Sequence, residues 1–557
     1  MESSISRREM LKMGGAATAG AAGLAMMGGL SQAHADEAAE EEAVAEEAAE
    51  EETAAEETVE EESASTDTTP SFFAQPDPIT DIAETKDYDV VVVGAGAAGV
   101  PAAISAFQNG ASVAVLQKDS TATSQGNTCT SILYDESDAA GVEDIISMIT
   151  EDCCHRSKRE QVELWAYNSG EALQWLWNIG EECGAEMSET TAKWTSSIQE
   201  VDGYNVSYFS FDFGPKPYNT GNGMQDIAAW AEEQGVEFFY STPAVQLVQD
   251  DSGAVTGVIA ESEEGYIQFN AAKGVIVATG DYENDDEMMA YYHPDMENIW
   301  RKESNKTGDG QKMMVWAGGR MEPVCGSKVL HDFDAGPGSM ADMPFLCVKN
   351  DGTRFCNEYR SSMAVMGNFL TSAEDSGYYT QVFDSDYMTA CADWPGALVD
   401  EESMKNYMPE EEGEKEGVYE ALIATYSADT IEELGEKLGL TDVDTFVATV
   451  ERYNELCELG VDEDMGKLAT YMVPIQTPPF YGIHRHIGVS TVIHGVVVNG
   501  DMQVLDENDE PIEGLYAIGN CAGGFFGSPD YPMTVPGLSL GRAHTEGYVV
   551  GRAVATK

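Results

Sequence analysis

The sequence predicts an α/β fold organised around a parallel sheet and a dinucleotide site. Three observations near residue 90 carry it. Val90-Val91-Val92-Val93, after Asp89, is an unbroken apolar run that suits a strand buried on both faces. Gly94, Gly96 and Gly99 then satisfy G-x-G-x-x-G. A helix of small and apolar residues is expected over 98–109, and a second strand over 112–116. The glycine run alone is a weak signal; a strand before it and a helix after it make it Rossmann-like. The first glycine allows a tight turn, the second admits a pyrophosphate close to the backbone, and the third lets helix pack on strand. Ala98 stands at the helix start, where unpaired N–H groups and the helix dipole favour phosphate.

The chain opens with Ser6-Arg7-Arg8-Glu9-Met10-Leu11-Lys12, an Ala/Gly-rich weakly apolar run over 13–30, and Ala33-His34-Ala35. This pattern resembles a twin-arginine export signal over 1–35, with Asp36 as the first mature residue. The apolar run is too short and glycine-rich for a membrane span, so no transmembrane anchor is expected in the mature chain. Twin-arginine export carries folded proteins, which suits an enzyme that acquires its cofactor inside the cell. No nicotinamide pool exists outside, so a tightly held flavin is the better expectation. Residues 36–69 hold sixteen acids among Ala, Glu and Thr, and the stretch 36–85 reads as a solvated tether. An exposed Ala/Glu-rich helix is the other reading there.

The formal charge is −70. The tether carries about −16 of it, so the folded body is itself acidic. Nucleic acid and anionic membranes are therefore excluded as natural partners. About 470 residues follow the tether, enough for two domains. Ten scattered cysteines form no C-x-x-C or C-x-x-C-H, which argues against c-type haem and leaves buried free thiols as the expectation.

Further along, Gln117 ends the second strand, where dinucleotide folds commonly place an acid for ribose hydroxyls. Gln117 can accept that hydrogen bond without charge. Gly126, Asn127 and Thr128 lie in a second close-approach loop. Residues 138–235 read as largely helical, with an apolar stripe at Leu164, Leu173, Leu176 and Ile179. Residues 238–240, 244–249, 255–260 and 267–270 read as short strands around a turn at Asp251-Ser252-Gly253. Residues 274–280 are another buried strand, ending in small residues that let backbone meet a cofactor.

The order of motifs now becomes specific. After G-x-G-x-x-G come Gly126-Asn127, Ala278-Thr279-Gly280, Thr307-Gly308-Asp309-Gly310, Arg354-Phe355-Cys356-Asn357-Glu358, Arg452-Tyr453-Asn454 and Gly514-Leu515-Tyr516-Ala517-Ile518-Gly519-Asn520. Over roughly 86–555 this resembles the soluble fumarate reductase flavoprotein family, which also includes urocanate reductases and 3-ketosteroid dehydrogenases. The resemblance implies FAD in a glutathione-reductase-like domain of two parts, 86–325 and 479–557, with an inserted α+β clamp, 326–478. Substrate would lie between clamp and flavin ring. Relatives that attach FAD covalently use a His near Asn127; none stands here, so FAD is expected to be non-covalent. Val245, Thr279, Asp309, His486 and Asn520 are implied beside the cofactor, Asn520 where fumarate reductases place Glu. Ser539 and Leu540, on a helix starting near Pro536, are implied at the pyrimidine edge, where the positive helix end favours an anionic ring.

The implied chemistry is hydride exchange between flavin and an activated carbon–carbon bond, plus a proton. His331 matches a His just inside the clamp. Arg360 is the nearest counterpart of an arginine proton donor, two residues early. Arg485 takes the place of a carboxylate-binding His. The second carboxylate clamp falls near Thr534, so that arginine is missing. Tyr531, before Pro532, resembles the tyrosine that binds a carbonyl in ketosteroid dehydrogenases. Fumarate needs a cation at each end, because burying an unpaired carboxylate is costly. With one clamp gone, the expected substrate carries one carboxylate, such as an aryl acrylate, or only a carbonyl. An exported reductase, fed by a cytochrome or an FMN protein in anaerobic respiration, is the reading. A ketosteroid-type dehydrogenase and a flavin binder without catalysis are the alternatives.

Overall fold

The valine run becomes the middle of an eight-stranded sheet. Its strand, Ile82–Val93, is flanked in parallel by Gly265–Val277 on one side and Val113–Leu116 on the other. Pro511–Ala517 and Glu237–Phe239 extend these flanks, again in parallel. An antiparallel edge, Gln503–Leu505, and the hairpin Ala244–Gln249 with Val255–Ser262 complete the sheet. Val90 to Val93 are buried on both faces, which is why the sequence shows no alternation there. The structure, a computed structural model, describes residues 70–189, 200–201, 203–213, 220–297, 299–301, 304–322, 327–332, 336–337, 340–341, 343–359, 378–394, 398–409, 411, 423–485, 487–527 and 535–557. The export signal and the acidic run over 36–69 lie outside these residues.

Residues 71–85, read from sequence as tether, are folded. Phe73 is buried beside Tyr282 and Met288, its carbonyl accepts from Trp316 Nε1 at 3.2 Å, and the first strand starts at Ile82. Only half of that strand is apolar, so its exposed first half read as linker.

The helix Gly99–Gln108 packs on the sheet, and the C-terminal helix Leu538–Ala555 packs on that helix. The two backbones touch: a Cβ on Gly551 would lie 2.2 Å from the Ala102 carbonyl oxygen. Residues 138–235 hold the helices Ala139–Asp152, Arg159–Cys183 and Thr220–Gln234, as expected. They also hold a strand, Tyr208–Phe213, which pairs with Thr128–Ile132 and Met187–Glu189. Its Tyr-Phe-Ser-Phe-Asp-Phe alternation has the period of a strand, a signal that the helical reading of the whole stretch overlooked.

Residues 346–485 build a second, antiparallel sheet in the order Leu346–Val348, Tyr379–Asp384, Phe480–Arg485, Thr425–Ala428. The helices Ile431–Lys437 and Val443–Leu459 bury Leu434, Phe446, Val450 and Tyr453 with this sheet's Leu346, Val348 and Val382. Sequence reading ends the clamp at residue 478; the strand Phe480–Arg485 nevertheless hydrogen bonds inside its sheet. A third sheet joins Trp300–Arg301 and Ser327–Asp332, which precede the second sheet in the chain, to Ile487–Ile493, which follows its strand Phe480–Arg485.

The Arg354 motif locks this region. Arg354 Nε and Nη2 donate to Glu358 at 2.9 Å each, and Nη1 and Nη2 donate to Asp462 at 3.1 and 2.8 Å. Buried Lys467 stands 3.3 Å from Glu358. Asn454 exchanges two hydrogen bonds with the Ile475 backbone. These family motifs are therefore fasteners of the clamp.

Candidate active site

Two helix starts and one glycine turn stand where the cofactor is expected. Gly94 has φ +105° and donates its N–H to Leu116 O at 2.8 Å; a Cβ there would lie 2.5 Å from the Ala278 carbonyl oxygen. A Cβ on Gly99 would lie 1.9 Å from Gly94 O. Strand end, turn and helix start thus meet at backbone contact. The helix Gly99–Gln108 begins after Ala98 with no side-chain cap; Val100 N–H donates to Gly96 O at 3.0 Å, and the positive helix end suits an anion. Leu538–Ala555 begins after Gly537, again with no side-chain cap. A Cβ on Gly126 would lie 3.0 Å from Leu540 Cδ1, and Thr130 N–H donates to Gly537 O at 3.2 Å. The loop Gly126-Asn127-Thr128 is thereby brought to Ser539 and Leu540. Gly519, just before Asn520, comes to Ala98: a Cβ on Gly519 would lie 3.1 Å from Ala98 Cβ. Helix starts without side-chain caps and closely approached bare backbone suit the anionic pyrophosphate of a dinucleotide.

The other expected cofactor residues fall as follows. Gln117 is buried and its Nε2 donates to Thr121 O at 3.1 Å and Thr123 Oγ1 at 3.0 Å, which orients its carboxamide oxygen as an acceptor. Asp309 opens the helix Asp309–Trp316 and is paired at 2.8 Å with Lys118. A Cβ on the adjacent Gly310 would lie 2.1 Å from Thr279 Oγ1, so Thr279 rests on that helix. Val245 is half-buried in the edge hairpin, near Gln117, whose carbonyl accepts from Thr242 N–H at 2.9 Å. Asn520 Nδ2 donates to Thr491 Oγ1 at 2.8 Å, and its Oδ1 accepts from Arg542 Nη2 at 2.9 Å. Arg542 is wholly buried over Phe525 and Phe526, with centroid distances of 5.4 and 5.6 Å.

The substrate-side residues are less fully placed. Arg485 is wholly buried in the clamp sheet, its Nε and Nη2 donating to Gln381 Oε1 at 3.0 and 2.7 Å and its Nη1 to Pro337 O at 3.3 Å. His331 lies opposite Gly488 in the third sheet. Arg360, His486 and Tyr531 lie outside the described residues, as does the side chain of His331.

Several buried polar groups escaped sequence reading. Asp281 and Glu283, just beyond the carboxyl end of the strand Gly265–Val277, share Lys306. Tyr282 OH bridges His494 Nδ1 at 2.6 Å and His293 Nε2 at 3.0 Å. His494 Nε2 donates to Glu322 O at 3.2 Å, so its Nδ1 accepts from Tyr282, whose oxygen in turn accepts from His293. Burial drives His293 down to about 2, so it stays neutral. Burial also pushes Glu322 up to about 7. Their one sequence signal is position, since ligands of α/β sheets collect at the carboxyl ends of strands. The cysteines with described surroundings are free thiols, and no group of three potential metal ligands occurs among the described residues. No described helix is long and apolar enough to cross a membrane.

The FAD binding domain family model matches residues 89–529. The vinyl phenol reductase of Lactiplantibacillus plantarum is 29% identical over 512 residues, covering 85% of this chain and 97% of that protein. The probable fumarate reductase Ifc3 of Shewanella frigidimarina is 26% identical over 500 residues, covering 82% of this chain and 77% of that protein. The open conformation of a flavocytochrome c3 fumarate reductase has the same fold, with TM-score 0.64 and 23% identity over 86% of this chain and 79% of that one. The resemblance read from the motifs is borne out, and the chain belongs to the FAD binding domain family, with FAD as its cofactor.

Proposed function

We propose that this protein is an FAD-dependent reductase that saturates an activated carbon–carbon double bond in a small molecule. The observation that carries the reading is the match along 97% of a protein named for reducing vinyl phenol. FAD supplies the hydride chemistry when bound. The chain supplies the rest. Gly94, Gly96, Ala98 and Gly99 receive the pyrophosphate; Gly126 to Thr128, Asn520, Ser539 and Leu540 hold the flavin half, without a covalent bond. Gln117, Val245, Thr279, Asp309 and His486 complete the cofactor contacts. Clamp residues cover the ring, where His331, Arg485 and Tyr531 orient the substrate and Arg360 passes the proton.

The preferred substrates carry at most one carboxylate: an aryl acrylate, a vinyl phenol or an enone. The second carboxylate clamp has no arginine, and an unpaired buried carboxylate would be penalised. A separate cytochrome or FMN protein provides the electrons. The twin-arginine pattern at Arg7-Arg8 supports export and a role as terminal reductase in anaerobic respiration.

The test is anaerobic oxidation of reduced viologen by the FAD-loaded protein over a panel of fumarate, cinnamates, vinyl phenols and enones. Turnover of monocarboxylate or carboxylate-free alkenes above fumarate is the expected result. Turnover only in reverse, with an artificial oxidant and a saturated ketone, would replace the reading by a dehydrogenase. FAD binding with neither activity would leave a flavin-binding protein.

A further inference from the structure

Beyond the strand Gly265–Val277, Asp281 and Glu283 present wholly buried carboxylates. One lysine serves both, with Lys306 Nζ 3.1 Å from Asp281 Oδ2 and 2.7 Å from Glu283 Oε1. Asp281 has two further donors: its Oδ1 accepts from Glu283 N–H at 2.9 Å, and its Oδ2 accepts from the Thr491 hydroxyl. Glu283 is less well served. Asn284 and Ser304 reach its Oε1 only at 3.4 Å, and its Oε2 is buried with no hydrogen-bond partner among the described residues. Arg301 bonds the Glu283 carbonyl at 2.9 Å and pairs with Asp286 at 2.7 Å, so its charge is spent elsewhere.

Two buried carboxylates against one lysine leave a negative charge uncompensated, and such a site settles by holding a proton. The poorer donor set puts that proton on Glu283. Burial and then the Asp281 charge push Glu283 up to about 8, against the downward pull of Lys306. The cluster is also wired to the cofactor locus. Thr491 accepts from Asn520, and Asn520 accepts from Arg542, so a hydrogen-bonded line runs from the carboxylates to the first turns of the C-terminal helix. Lys306, whose side chain is 20% exposed, is the member that reaches solvent.

We infer that Glu283 is a redox-linked proton site: in alkaline solution, where the oxidised protein leaves it charged, it takes a proton from solvent at the Lys306 edge when an electron pair charges the cofactor and returns it when the pair leaves. The balance is closed: a carboxylate plus one proton gives a carboxylic acid, the donor supplies the electrons, and no bond of the substrate is involved. The local dielectric is low, so a charge arriving along this network is felt strongly at the carboxyl.

The test is the flavin midpoint potential of the FAD-loaded protein, equilibrated with redox dyes from about pH 6 to about pH 10. One extra proton per electron pair is a tenfold effect per pH unit, about 30 mV for a two-electron couple. The wild-type slope should steepen by that amount above about pH 8. Glu283→Gln should remove the steep segment, and Glu283→Asp should keep it at a displaced pH. Lys306→Gln should move its onset to higher pH, because the lysine holds the carboxyl down. Wild type and Glu283→Gln with one common slope would overturn the inference, as would an onset that Lys306→Gln leaves in place. No substrate enters the measurement, so its outcome is separate from the failure of any substrate screen.

Discussion

Replacing Arg354 by Gln tests whether the most family-like motif of the clamp is structural. Arg354 makes four charge-assisted hydrogen bonds of 2.8 to 3.1 Å to Glu358 and Asp462, and all three side chains are at most 8% exposed. Gln is two atoms shorter and keeps neither the charge nor the double fork. The variant leaves two buried carboxylates with Lys467 alone, which lies 3.3 Å from Glu358. Breaking a buried pair in this way costs about 3–5 kcal/mol. Local opening should therefore become about 100- to 4,000-fold more frequent. Hydrogen exchange reads this directly at the amides of Met465 and Lys467, which donate to Asp462 at 3.1 and 2.9 Å. Protection in the strand Ile82–Val93, in the flavin sheet, should change far less. A pH arm adds a sign. Burial alone would raise Asp462, but Arg354 and the loop N–H groups hold it down to about 2. Its contribution to stability is present above about pH 4 and is lost as pH falls through about 2. Arg354→Gln should lose that acid step. Unchanged protection at Met465 and Lys467, or an unchanged acid limb, would refute the reasoning.

Three further outcomes follow from the same geometry. Gly94→Ala sets a Cβ 2.5 Å from the Ala278 carbonyl at φ +105°, so the variant should lose FAD uptake and soluble yield; a normal flavin-to-protein ratio would contradict this. Arg360→Ala should abolish viologen-coupled turnover while leaving the bound-flavin spectrum intact, and an unchanged rate would remove it from the site. Glu283 and Glu322 are both raised by burial, to about 8 and about 7, so between about pH 4.5 and those values each binds more protons folded than unfolded. Stability should therefore fall as pH rises through about 7 to 8, and Glu322→Gln should flatten that limb in urea titrations; an unaltered limb would show that Glu322 is charged throughout.

Elements with a local cause were the ones legible in the sequence. Val90 to Val93, the Gly94 turn and the helix Gly99–Gln108 each announce themselves within a dozen residues, and the hairpin around Ser252 is equally local. The family resemblance put Gly126 and Leu540 each beside the cofactor, but their mutual contact was not legible, because the two residues approach from distant parts of the chain. The line from Asp281 through Thr491 and Asn520 to Arg542 was not legible at all. Its members are ordinary polar residues until the sheet brings its strand ends together. Arg354 shows the opposite failure. A motif that marks the family reads as a signpost to the proton donor, yet its charge is consumed by Asp462, more than a hundred residues away.

The account rests on FAD binding at the Gly94 turn and the helix starts at Gly99 and Leu538. The most direct measurement is the flavin content of the purified, folded protein. The expected result is one FAD per chain, and the proposal of non-covalent binding predicts that denaturation releases it intact. Folded protein that is colourless and takes up no added FAD would contradict the account.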